Sequence, residues 1–126
     1  MVAYTKIICV DFDGVLHSYT SGWQGEDVIS DPPVENAIWW LQDQLYRSIN
    51  QGFEIAIYSS RSKTKAGIQA MKNWLTKHGL SDFYLDRITF PTQKPAAFLT
   101  IDDRAICFTG TFPTTEEMLT FKPWNK

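Results

Sequence analysis

The sequence predicts an α/β domain on a mostly parallel sheet of about five strands. Three observations carry that expectation. Ile7-Ile8-Cys9-Val10 and Ile55-Ala56-Ile57-Tyr58 are short, continuous apolar runs of the kind that form strands covered on both faces. Segments of helical spacing alternate with these runs, the pattern of right-handed βαβ crossovers with helices on both faces of the sheet. At 126 residues the chain holds one core and little room for a second, so residues 1–126 read as a single domain. Together these describe a Rossmann-like three-layer sandwich.

The elements follow in order. The first strand stops at Asp11-Phe12-Asp13-Gly14. From His17 to Ser30 the chain is polar, contains Gly22 and Gly25, shows no helical period, and reads as a small flap. Asp31-Pro32-Pro33 suits a helix start, since prolines fit a first turn whose N–H groups lack partners. Val34, Ile38, Leu41, Leu45 and Ile49 then mark one helical face, and Gly52 ends it. The second strand stops at Ser59-Ser60-Arg61. Ile68, Met71 and Leu75 mark a second helix, closed by Gly79 after His78. Arg87–Phe90, Phe98–Ile101 and Ala105–Phe108 read as a third, fourth and fifth strand, and Thr115–Phe121 as a short terminal helix.

Composition narrows the classes. Twelve Lys and Arg against fourteen Asp and Glu give a net charge of −2, which argues against strong nonspecific binding to nucleic acid. No apolar run approaches the ~18–20 residues that cross a bilayer, so no membrane partner is expected. Met1 to Lys6 lacks the basic and apolar regions of a secretory leader, and the expected location is cytoplasmic. Cys9 and Cys107, both in apolar surroundings, read as buried free thiols of a reducing compartment.

Ligands in open α/β sheets bind beyond the carboxyl ends of the strands. Three predicted strands end there in polar clusters: Asp11 with Asp13, Ser59 with Ser60, and Asp102 with Asp103. Two like charges about 4 Å apart repel by ~4 kcal/mol at an effective dielectric of 20. Either some carboxyls stay protonated or a cation sits among them. Oxygen-only ligands favour a hard ion, and Mg²⁺ is usual where a phosphate shares the site. No zinc-spaced Cys/His set and no Gly-x-x-x-x-Gly-Lys phosphate loop is present.

These residues carry a resemblance. Val10-Asp11-Phe12-Asp13-Gly14-Val15-Leu16 is similar to the first motif of the haloacid-dehalogenase-like superfamily of aspartyl-phosphate hydrolases. Ile57-Tyr58-Ser59-Ser60-Arg61, Lys94-Pro95 and Thr100-Ile101-Asp102-Asp103-Arg104 resemble its second, third and fourth motifs, in order and over most of the chain. The resemblance implies a Mg²⁺-dependent phosphatase. Asp11 would be the nucleophile, and Asp13 would protonate the leaving oxygen and later activate water. The metal would be held by Asp11, the Asp13 backbone carbonyl and Asp102 or Asp103. Ser59, first after its strand, would bond a phosphoryl oxygen, while one of the two serines could instead cap the helix. Lys94 would be the fixed positive charge. The superfamily's usual cap domain has no room here beyond the flap. An open site of that kind would admit a nucleotide, an oligonucleotide end or a phosphoprotein, and a second subunit of a homo-oligomer could supply a lid. The competing class is a binding or regulatory module that keeps the fold without turnover.

The remaining polar and aromatic residues have plainer readings. Arg61, Lys63 and Lys65 read as the solvated start of a helix, and Arg104 as a structural partner of the aspartate pair. His17 reads as a loop histidine and His78 as a surface residue favoured by the helix dipole. Trp39, Trp40 and Trp74 read as core or part-buried. Trp23, in the flap, is the aromatic expected to stack on a substrate, and Trp124 has no assignment.

Overall fold

The computed structural model describes residues 5–126. Met1 to Tyr4, most of the stretch examined for a leader, lie outside the described residues. Strand β1 (Lys6–Val10) leads through the flap to helix α1 (Ala37–Gln51), then strand β2 (Phe53–Ile57) and helix α2 (Lys65–Lys77). Short helix α3 (Asp82–Leu85), strands β3 (Ile88–Thr89) and β4 (Leu99–Ile101) and short helix α4 (Thr115–Leu119) complete the order. The sheet is parallel throughout, in the order β3-β2-β1-β4. No helix among the described residues is long and apolar enough to cross a membrane.

The sheet has four strands, not about five. Ala105–Phe108 forms no strand, because Ile106 and Phe108 lie open to solvent with no neighbouring strand to pair with. The layering also departs from the expectation. Register pairs Ile8 with Ile55 and Leu99, Val10 with Ile57 and Ile101, and Ile55 with Ile88, so these side chains share one face. Leu41 and Leu45 of α1 and Met71, Trp74 and Leu75 of α2 close over that face in one buried cluster. Both long helices therefore lie on the same side. The steps β1 to β2 to β3 run in one direction, and right-handed crossovers taken in one direction deliver their helices to one face. The return from β3 to β4 spans the sheet without a helix.

Helix α1 starts later than the Asp31-Pro32-Pro33 signal suggests. Pro33 pairs with His17 in an isolated antiparallel bridge, and Val34 N–H donates to the Leu16 carbonyl, so this stretch closes the base of the flap. The helix begins at Ala37 after Asn36, which has φ 66°. Its C-terminus is as expected: Gly52 has φ 70° and its N–H returns to the Ser48 carbonyl. Ile49 and Trp39 point outward, Trp39 being 70% exposed. Trp74 is buried, Cys9 is a buried free thiol, and Cys107 is free but exposed.

Candidate functional site

At the carboxyl ends of β1, β2 and β4 lies a cavity of about 320 Å³, lined by Asp11, Asp13, Tyr19, Ser60, Asp102, Asp103 and Arg104. The Asp11 N–H donates to the Ile101 carbonyl at 2.9 Å, which locks the ends of β1 and β4 together and sets Asp11 beside the Asp102-Asp103 pair. One carboxylate oxygen from each of the three lies within 4.8 Å of the others. Gly14 permits this approach. It has φ +82°, and a Cβ there would stand 2.2 Å from Asp103 Oδ2.

Burial, before anything else, pushes the Asp11 carboxyl up to about 8. The Phe12 N–H, donating to Asp11 Oδ1 at 2.8 Å, opposes that shift, while the charges of Asp102 and Asp103 add to it. Arg104 gives limited relief: its Nε is 4.0 Å from Asp103 Oδ2 and its side chain is largely exposed, while its backbone N–H donates to Asp102 Oδ1 at 2.9 Å. This is a set of hard oxygen donors with more negative charge than local cations, and it could hold a metal ion. Among the described residues no other three acidic, histidine or cysteine side chains converge in this way.

The Asp13 carboxylate is not part of that group. Arg61 Nε donates to both its oxygens, at 3.0 and 3.2 Å, and His17 Nδ1 lies 2.9 Å from Oδ1. Arg61 is not a solvated helix-start residue but fully buried. Its Nη1 donates to the flap carbonyls of Gly25 and Glu26, both at 2.8 Å, its guanidinium sits 4.9 Å from the Trp23 ring centroid, and its Nη2 is buried without a partner. Trp23 thus backs the arginine on one side and remains half exposed. Lys63 is exposed, as the sequence suggested for the whole run.

His17, also buried, is held at both nitrogens. The Asp31 N–H can only donate, and it donates to Nε2 at 3.2 Å, so the proton of the neutral ring sits on Nδ1 and points at Asp13. Asp31 is in turn fixed by Ser21, whose N–H and Oγ donate to its two oxygens at 2.8 and 2.6 Å; these bonds hold its carboxyl below the usual range. The Trp74 indole N–H donates to the Asp31 carbonyl at 3.1 Å, joining this network to α2.

Ser59 and Ser60 divide the work at the end of β2. Ser59 is buried, accepts from the Arg61 N–H at 3.0 Å and caps the following 3₁₀ turn, with Met71 Sδ as the partner of its hydroxyl. Ser60 is the serine on the cavity wall. Lys94 is exposed on the β3–β4 connection, outside the cavity lining, and makes no ion pair within 4 Å of Asp11 among the described residues. Its charge reaches Cys9, whose thiol is pushed up chiefly by burial and only partly eased by Lys94. His78 stacks on Trp74 at 4.7 Å, and burial lowers its imidazole. The Trp124 indole N–H donates to the Gly14 carbonyl at 2.8 Å, which places the C-terminus against the first strand-end loop.

Sequence reasoning missed Arg61, His17 and Tyr19. Signals existed for two of them: Arg61 ends a strand at the crevice whereas Lys63 and Lys65 run on toward a helix, and His17 follows Asp13 by four residues. Comparison with protein-family models, with curated proteins and with solved structures finds no match.

Proposed function

We propose that the chain is a divalent-cation-dependent phosphomonoesterase of the haloacid-dehalogenase-like kind, with that superfamily's fold and with Asp11 as its nucleophile. The observation that carries this reading is the convergence of Asp11, Asp102 and Asp103 at the strand ends. Mg²⁺ held by Asp11 and the aspartate pair would cancel carboxylate charge and polarise a phosphoryl oxygen. Asp11, ionised, attacks phosphorus as the bond to the ester oxygen breaks, and the phosphoryl group passes to its carboxylate. Asp13, once it has taken up a proton, delivers it to the departing oxygen and later takes one from the water that cleaves the aspartyl-phosphate, so the grip of Arg61 and His17 on its carboxylate must loosen in the cycle. Arg61 and His17, by gripping Asp13, fix which of its oxygens faces the cavity. Ser60, on the wall, is better situated than Ser59 to donate to a phosphoryl oxygen.

Among the described residues no cap domain stands over the cavity, which suits a phosphate at the end of a larger molecule: a nucleotide, an oligonucleotide end or a phosphoprotein. Hydrolysis of an aryl phosphate with and without Mg²⁺ tests the reading. Metal-dependent turnover that falls at least about a thousandfold in Asp11→Asn supports it, and inertness of both proteins with every metal tried refutes it. Activity on 5′-mononucleotides against 3′-phosphorylated oligonucleotides then separates the substrate classes. A second reading, a binding module without turnover, is favoured by the exposure of Lys94, which makes no ion pair with Asp11 among the described residues. Phosphate-ester binding without product formation would select it.

A further inference from the structure

We infer that the chain forms a two-fold dimer in which the C-terminal arm of each copy covers the trough between α1 and β4 of the other. Helix α1 packs chiefly on β2, and β4 is an edge strand with no helix returning over it. Two hollows of about 410 and 430 Å³ result, and they share Trp40 and Ile101 in their walls, so they adjoin along one trough-like face. Val15, Val34, Ile8 and Phe53 extend its apolar lining. Leu99 and Phe98 on its outer wall are 52% and 66% exposed.

The arm has the opposite defect. From residue 102 to 126 no residue is buried. Ile106, Phe108, Phe112, Met118, Leu119 and Phe121 are between 41% and 83% exposed. At roughly 200 Å² for a large side chain, those fractions amount to roughly 700 Å² of apolar surface along the arm. With the outer wall of the trough added, each copy offers roughly 900 Å², against the ~800 Å² per partner of a standard stable interface. No residue of the chain's own arm lines its trough, and the arm's end is tied by Trp124 and Asn125, which donate to the Gly14 and Ser18 carbonyls.

Charge argues for a second copy as the occupant. The trough carries Lys6 at one end and Glu35 at the other. The arm carries Glu116 and Glu117 before Met118, Leu119 and Phe121, and Lys122 after them. Laid along the trough with Glu116 and Glu117 toward Lys6, it matches opposite charges at both ends. Exchange of arms repeats one contact twice about a two-fold axis, so the assembly closes.

Sedimentation velocity of the full chain from 1 to 100 μM is expected to show a species of twice the 14.5 kDa chain mass. Leu119→Lys in the arm and Leu99→Lys in the trough should each weaken association at least tenfold, with the circular dichroism of the fold unchanged. A direct contact test needs no disruptive variant. Differently tagged Leu99→Cys and Leu119→Cys chains, both carrying Cys107→Ser, are mixed and oxidised, and a disulfide between the two tags is expected. A monomer at 100 μM overturns the inference, as does a dimer that ignores both lysine variants or one that yields no cross-disulfide.

Discussion

Replacing Asp11 by Asn tests the electrostatics of the acidic cluster without relying on catalysis. The amide keeps an oxygen for the Phe12 N–H, so the local backbone bond survives while the charge is removed. In the absence of metal, Asp11 holds its proton to about pH 8 in the folded chain and near its ordinary 3.8 in the unfolded one. Between those values the folded state binds the extra proton, so stability falls as pH rises, by about 1.4 kcal/mol per pH unit. The contribution is complete below about pH 4 and gone above about pH 8. The span from 3.8 to about 8 sets a ceiling of about 6 kcal/mol, a large share of the ~5–15 kcal/mol that holds such a domain together. At roughly 3 °C per kcal/mol, the margin of Asp11→Asn over wild type should widen by roughly 4 °C per pH unit from pH 5 to 8. Scanning calorimetry in EDTA measures it. Adding Mg²⁺ should raise the wild type and flatten its pH trend, because the cation displaces the proton, and should leave Asp11→Asn nearly unmoved. Parallel wild-type and variant curves in EDTA from pH 5 to 9 would refute the reasoning.

Gly14→Ala combines a strained φ of +82° with a Cβ forced into Asp103, and should cost about 1–3 kcal/mol while weakening Mg²⁺ binding, read by calorimetric titration. Arg61→Met strands the Asp13 carboxylate and should cost about 3–5 kcal/mol in urea unfolding, with Asp13→Asn in the same chain recovering part of the loss; additive losses would deny the pair. Asp31, held below its ordinary range by Ser21, contributes stability that is present above pH 4 and lost as pH falls through its folded value. Asp31→Asn should therefore lower stability at pH 6 and flatten the acid limb of the unfolding profile, measured by fluorescence.

The sequence made the strand ends legible because β1 and β2 follow continuous apolar runs that stop at polar residues, and the short, more exposed β4 likewise stops at Asp102-Asp103. Asp11, Asp102 and Asp103 could be grouped from that alone, once the sheet was taken as parallel. The start of α1 was not legible, since Asp31-Pro32-Pro33 is a good local helix signal that loses to the pairing of Pro33 with His17, sixteen positions earlier, in the closed flap base. Arg61 was hidden for a similar reason. Its partners Asp13, Gly25 and Glu26 lie 48, 36 and 35 residues away, and only its place just after the strand sets it apart from Lys63. The fifth strand failed on context: Ala105–Phe108 has strand-forming residues but no strand to pair with.

The way Arg61 grips the flap has a consequence for how this protein can diversify. Its contacts at Gly25 and Glu26 are to main-chain carbonyls, which every amino acid supplies. The loop's geometry is thus insured against drift in its side chains, and Glu26 can be exchanged for residues of other size or charge with the anchor intact. The flap's surface can in this way change by single substitutions, while the fold beneath it is left alone.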